Sequence, residues 1–235
     1  MDQQSLPRRI ATWVVAFLAA WLALAYFAAP GFWTFRNRGF RNNPFEMVTH
    51  TPQGIPGDPI NVGLVGTEKE VVHAFAVAGW DTADAVTLRT AIDIGESVLF
   101  SRPYPDEPMS RLLFEGRAQE LAFEKPAGDS ADRRHHVRFW QTDTVGDDGR
   151  PFWLGAASFD RGVGLSHDTG AITHHISPDI DAERQFLIGD LSAAGQLIST
   201  SELAGIGATT TGRNGGRDPY FTDGKAIIGV LKQLR

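Results

Sequence analysis

Hydrophobic and polar residues follow different periods in different parts of this chain. Residues 10–29 form an apolar run with no charge, preceded by Pro7, Arg8 and Arg9. The run has about the twenty residues a helix needs to cross a hydrocarbon core. Trp13, Trp21, Tyr26 and Trp33 supply aromatic anchors near its ends. The competing reading is a cleaved signal with Ala23-Leu24-Ala25 at its cleavage site, but the length and bulk of the run favour an uncleaved anchor. Arg8 and Arg9 favour a cytoplasmic N-terminus, whereas Arg36, Arg38 and Arg41 pull the other way. A hydrophobic segment that starts a chain is most often an export anchor, so the expectation is an extracytoplasmic domain. Residues 1–9 form a tail. Residues 30–58, with Pro44, Pro52, Gly54, Pro56 and Gly57, read as a linker, leaving 59–235 as the folded domain.

Within that domain, residues 59–65 suit a strand. Thr67 and Glu70 then have the spacing of a capping box, opening a helix with Val71, Val72, Phe75 and Ala76 on its apolar side. A second helix is expected over 87–101. Residues 112–116 and 120–124 suit a hairpin, and 134–142, 152–159 and 171–177 suit longer strands. A helix starts at Pro178-Asp179 and runs to Gly195. Further strands are expected over 197–211 and 225–234, around a loop at 212–224. The order predicts an α+β fold, mostly antiparallel sheet with a few packed helices, rather than a regular βαβ alternation.

Composition adds exclusions. The net charge of -6 and the lack of a basic stripe argue against nucleic acid as a partner. With no cysteine there are no disulfides, thiolate metal sites or cysteine nucleophiles.

The candidate chemistry lies in two histidine pairs, His135-His136 and His174-His175, each within a strand pattern. Side chains alternate faces along a strand, so each pair splits. His135 shares a face with Val137 and Phe139, and His174 with Ile172 and Ile176, which marks both as core-facing. His136, Arg138 and His175 are then expected at a polar surface or cleft. Imidazoles from both pairs, with Asp160, Asp179, Asp181 or Glu183, could complete a divalent-metal site. They could equally be structural histidines bonded to backbone or carboxylates. Arg133, Arg134, Arg138, Arg161 and His136 offer donors for phosphate or carboxylate, or else solvate the sheet and pair with nearby acids. Asp160-Arg161-Gly162-Val163-Gly164 is either a ligand-binding loop or a tight connection; it lacks the spacing of a nucleotide-binding loop. Ser158 and Ser166 lie in no G-x-S-x-G elbow, so a serine triad is not supported.

The strings Arg134-His135-His136-Val137-Arg138-Phe139-Trp140, Trp153-Leu154-Gly155-Ala156-Ala157-Ser158-Phe159-Asp160-Arg161-Gly162, and Ile172-Thr173-His174-His175-Ile176 followed by Pro178-Asp179, Asp181 and Glu183-Arg184 occur in that order. Together with the upstream runs at 59–66, 78–80 and 120–125, this set resembles the LssY-like C-terminal domain over about residues 59–191. The resemblance implies a bacterial domain found behind a membrane anchor or fused to DedA-type and phosphatidic-acid-phosphatase-type membrane domains. A membrane protein of either type is therefore a conceivable partner. The sequence-based expectation is a membrane-anchored bacterial envelope protein carrying a noncatalytic module for an anionic ligand or membrane partner. The alternative is a metal-assisted hydrolase built on His136, His175 and Asp160, with Asp179 and Asp181. Convergence of those side chains would favour the hydrolase, and dispersal the binding module.

Overall fold

A computed structural model describes residues 5–36, 47–83, 111–128, 133–204 and 210–234. The N-terminal apolar run is one continuous helical rod: α1 (Ser5–Ala23), a wide π turn (Leu24–Ala28) and α2 (Ala29–Arg36). Pro30 explains the wide turn. It offers no N–H to the carbonyl of Tyr26, and its ring would clash with that carbonyl. The ladder adjusts, and the Ala29 N–H bonds to the carbonyl of Leu24, five residues back. From Arg8 to Arg36 the rod is long and apolar enough to cross a membrane. Trp13, Val15, Phe17 and Leu24 stand exposed on it, whereas Ala25 is buried.

Next along the chain come β1 (Val48–His50), β2 (Pro56–Pro59), β3 (Val62–Val65), α3 (Glu68–Val77), β4 (Asp81–Thr82), β5 (Leu113–Phe114) and β6 (Arg117–Ala118). Then follow β7 (Leu121–Pro126), β8 (Arg134–Val145), β9 (Pro151–Leu165), β10 (Ile172–Ile176) and α4 (Ile180–Ala193). The last are β11 (Leu197–Ala204), β12 (Thr211–Arg213), β13 (Pro219–Phe221) and β14 (Lys225–Leu231). The main sheet has the order β11-β14-β3-β9-β8-β7-β4, with β10 also paired to β9. Its pairings are antiparallel apart from β14 with β3. The α+β expectation therefore holds.

Helices α3 and α4 cover one face of this sheet. Val71, Val72 and Phe75 of α3 and Leu187, Ile188 and Leu191 of α4 pack against Val62, Leu64, Phe123, Val137, Phe139 and Trp153. The capping box forms as its spacing predicts: the Glu70 N–H donates to Thr67 Oγ1, and the Thr67 N–H to the Glu70 carboxylate. The opposite face is covered by a small antiparallel sheet, β2-β1-β5-β6, over Ile60, Leu112, Phe114, Trp140, Leu154 and Ala156. The central strands of the main sheet are thus covered on both sides, so the polar residues in the first half of β8 are largely buried.

Several elements differ from the sequence reading. Residues 48–50 and 56–58, read as the end of the linker, lie in β1 and β2; the prolines and glycine of β2 fit its place at the sheet edge, where a strand needs few N–H donors. The helix expected over 87–101 lies outside the described residues. The strand expected over 197–211 is described as β11 as far as Ala204, and the loop expected over 212–224 contains the hairpin of β12 and β13.

Candidate functional site

Strand β8 builds the site. Its alternate residues Arg134, His136, Arg138 and Trp140 share the face under the small sheet, while His135, Val137 and Phe139 face the helices. The antiparallel register with β9 sets Arg134 opposite Asp160 and His136 opposite Ser158. Asp58 comes from β2 in the second sheet, where the Thr49 hydroxyl donates to its backbone carbonyl at 2.8 Å. Gly57, just before it, leaves room for this approach; a Cβ there would meet Thr49 Oγ1 at 2.6 Å. Three elements thus deliver one buried polar row.

The row is continuous. Arg134 Nη1 donates to Glu124 at 3.0 Å and its Nε to Asp160 Oδ2 at 3.2 Å. His136 Nδ1 is 3.2 Å from the same Asp160 oxygen, and its Nε2 is 2.5 Å from Ser158 Oγ. The Ser158 hydroxyl donates to Asp58 Oδ2 at 3.1 Å, and Arg138 Nη1 donates to that oxygen at 3.0 Å. Burial alone would push His136 down, but the charge and hydrogen bond of Asp160, together with Asp58, push it up to about 9. Burial works in the opposite sense on Asp160, yet His136, His174 and Arg134 hold it at about 2. Asp58 is likewise lowered against its burial, by His136 and Arg138. At neutral pH the row therefore holds an imidazolium that donates from both nitrogens, between carboxylates. This charge state satisfies each ring nitrogen and the serine proton together.

A cleft of about 650 Å³ opens above this row. Arg134, His136, Arg138, Asp58 and Asp160 lie at its polar end, His174 and Thr173 contribute from β10, and Ala25, Tyr26 and Pro30 of the N-terminal helix form part of its wall. The helix is held there by directional contacts. Trp21 Nε1 donates to the carbonyl of Gly170 at 3.2 Å, Trp33 Nε1 to that of Asp168 at 3.1 Å, and the Ile172 N–H to the Tyr26 hydroxyl at 3.3 Å.

Ser158, His136 and Asp160 stand in the connectivity of a catalytic triad, but not in its chemical state. Ser158 is fully buried, its proton goes to Asp58, and a protonated His136 has no lone pair with which to act as a base.

The structure brings together Arg134, His136, Arg138 and Asp160 from the sequence-predicted set. His174 joins them at the cleft, and the others lie elsewhere. His175 Nδ1 lies 2.9 Å from both carboxylate oxygens of Asp218, and Arg161, half exposed, reaches the same carboxylate at 3.4 Å. Asp179 caps α4 by accepting from the Ala182 N–H, and Asp181 accepts from the Thr222 hydroxyl and the Asp223 N–H. His174, expected on the core side, is the histidine of its pair that lines the cleft, 3.4 Å from Arg134 Nη2. Alternation itself holds, since His174 shares its face with Ile172, but that face lines the cleft rather than the core, and Ile172 is largely exposed. His135 does face the core: its ring stacks on Phe186 at 3.8 Å, and its Nδ1 is 2.8 Å from Glu183, whose carboxyl is raised by burial despite that partner. Among the described residues, no group of three or more His, Asp or Glu side chains is arranged to hold a metal ion. Sequence reasoning missed Asp58 and Asp218. Both lie in turn-rich stretches, and only the tertiary pairing of β2 and the Asn214–Asp218 turn carries them to the sheet.

No curated protein and no solved structure matches this chain. The family described as LssY C-terminus matches residues 42–226, a stretch that takes in the small sheet, the main sheet apart from most of β14, the buried polar row and the cleft-lining hairpin. A match over that share of the sequence makes the chain a member of the LssY C-terminal family.

Proposed function

We propose that the domain is a noncatalytic binding module whose cleft takes an anionic group, a phosphate or a carboxylate, while the N-terminal helix ties it to a membrane, with the domain on the extracytoplasmic side. The observation that carries this reading is the alternation of Arg134, His136 and Arg138 along one face of β8 at the polar end of the cleft. Planar guanidinium groups suit oxyanions, and Asp58, Asp160 and Glu124 fix their geometry before any ligand arrives. His136 adds a third cation at neutral pH. Three cationic side chains then face two lining carboxylates, Asp58 and Asp160. The dispersal of His175, Asp179 and Asp181 to other partners also favours binding over metal-assisted hydrolysis.

The test is calorimetric titration of the full chain in detergent micelles with inorganic phosphate and with glycerol phosphate at neutral pH. Saturable binding is expected. It should weaken by about tenfold or more in Arg138→Gln, the effect of losing one charge-assisted hydrogen bond. Absence of binding by both anions to the folded chain would overturn the proposal.

A further inference from the structure

The hairpin of β9 and β10 carries exposed apolar residues that the fold does not use. Val163, Leu165 and Ile172 are 48%, 53% and 60% exposed, and Leu165 and Ile172 are register partners near the turn. The same turn is the part of the domain that docks on the N-terminal helix, through Trp21, Tyr26 and Trp33. The stretch from Trp21 to Trp33 rises roughly 18 Å, so a turn bonded at both ends and near the middle lies level with about Tyr26. If residues 10–29 fill the hydrocarbon core, Tyr26 sits roughly 5 Å inside its boundary. The exposed hairpin residues are thus brought to the lipid by the same helix that spans it.

The polar groups around the turn fit that depth. Arg36 lies over the Trp33 ring at 4.8 Å, and Arg217 pairs with Asp168 at 2.8 Å while remaining half exposed. Tryptophan with arginine at the end of a spanning helix is the pattern of a headgroup-level belt, where the ring sits at the interface and the guanidinium reaches water or phosphate. The cleft wall formed by Ala25, Tyr26 and Pro30 belongs to the same level.

From this placement we infer that the β9–β10 hairpin dips into the bilayer surface beside the anchor, and that the cleft takes the headgroup of an anionic glycerophospholipid directly from the membrane. The inference rests on the anion-binding reading and names the source of the anion. A lipid would present its phosphate to Arg134 and Arg138 while its glycerol and upper chains pass along Ala25, Pro30 and Ile172.

The absence of cysteine makes a site-specific probe straightforward in the full chain. A fluorophore on Leu165→Cys, which does not line the cleft, is compared with one on the exposed Val145→Cys at the far end of β8, in liposomes of phosphatidylcholine and phosphatidylglycerol carrying brominated chains. Quenching is expected at residue 165 and not at 145. In parallel, native mass spectrometry from micelles holding equal amounts of both lipids should show phosphatidylglycerol retained over phosphatidylcholine. That preference should fall by about tenfold in Arg138→Gln, whereas the quenching at residue 165 in that variant should not change. No quenching at 165, or equal quenching at 145, would overturn the immersion. Binding of inorganic phosphate without retention of phosphatidylglycerol would overturn the lipid source and leave the anion site standing. Failure of both anions would remove the two proposals together.

Discussion

His135 and His136 are sequence neighbours whose rings lie in different layers of the protein. The His135 ring stacks on Phe186 of α4 at 3.8 Å, whereas His136 Nε2 meets Ser158 Oγ at 2.5 Å on the opposite face of the sheet. One imidazole belongs to the helix–sheet core. The other is a cation held in the cleft floor.

The charge on His136 gives stability a pH dependence of definite sign. Its folded value, about 9, lies above the ordinary value of 6.5, so its contribution is complete below about 6.5 and is lost as pH rises through 9. A shift of that size corresponds to about 3 kcal/mol. Thermal unfolding of the full chain between pH 6 and pH 10 (roughly the interval spanned by the two values) should show this loss. In His136→Gln the slope should flatten.

Asp160 is held at about 2, against the ordinary value of 3.8, so its share is present above the latter and lost as pH falls through the former. Asp160→Asn removes the carboxylate charge that Arg134 and His136 share, leaving His136 as a buried cation with one counter-charge fewer. Removing one partner of a buried pair costs about 3–5 kcal/mol. The corresponding fall in the unfolding midpoint checks this, and the imidazole titration followed by NMR should move to lower pH.

Gly155 on β9 lies between Val62 of β3 and Phe139 of β8 in the helix-covered core. A Cβ there would meet Phe139 Cε1 at 2.5 Å and Val62 Cγ2 at 2.7 Å. Gly155→Ala should therefore overpack the sheet and cost about 1–3 kcal/mol, read as a lower unfolding midpoint.

Thr67→Ala removes the hydroxyl that accepts from the Glu70 N–H at the start of α3. The expected loss is about 1 kcal/mol, measurable by the same unfolding assay. Anion binding should not change, because the cap lies on the other side of the sheet from the cleft.

Local chemistry made part of this arrangement legible in advance. Thr67 and Glu70 marked the start of α3, and period-two alternation separated His135 from His136. At His174 and His175 the alternation was right but the choice of core face was wrong, because the apolar Ile172 that marked it lies exposed at the cleft. Asp58 gave no sign of its importance. The segment Pro56–Pro59 has neither apolar alternation nor strand-forming residues, and it becomes a strand only by pairing with β1. The docking of the helix was equally hidden, since Trp21, Tyr26 and Trp33 meet main-chain groups near residue 170 that no sequence pattern singles out.

Ala25, Tyr26 and Pro30 give the N-terminal helix a share in the cleft wall. A fragment trimmed to begin after the helix would present a trough with one side missing, and its affinities would describe a different receptor. Substitutions at these positions would reshape the cleft as well as the helix, so the two belong to one structural unit.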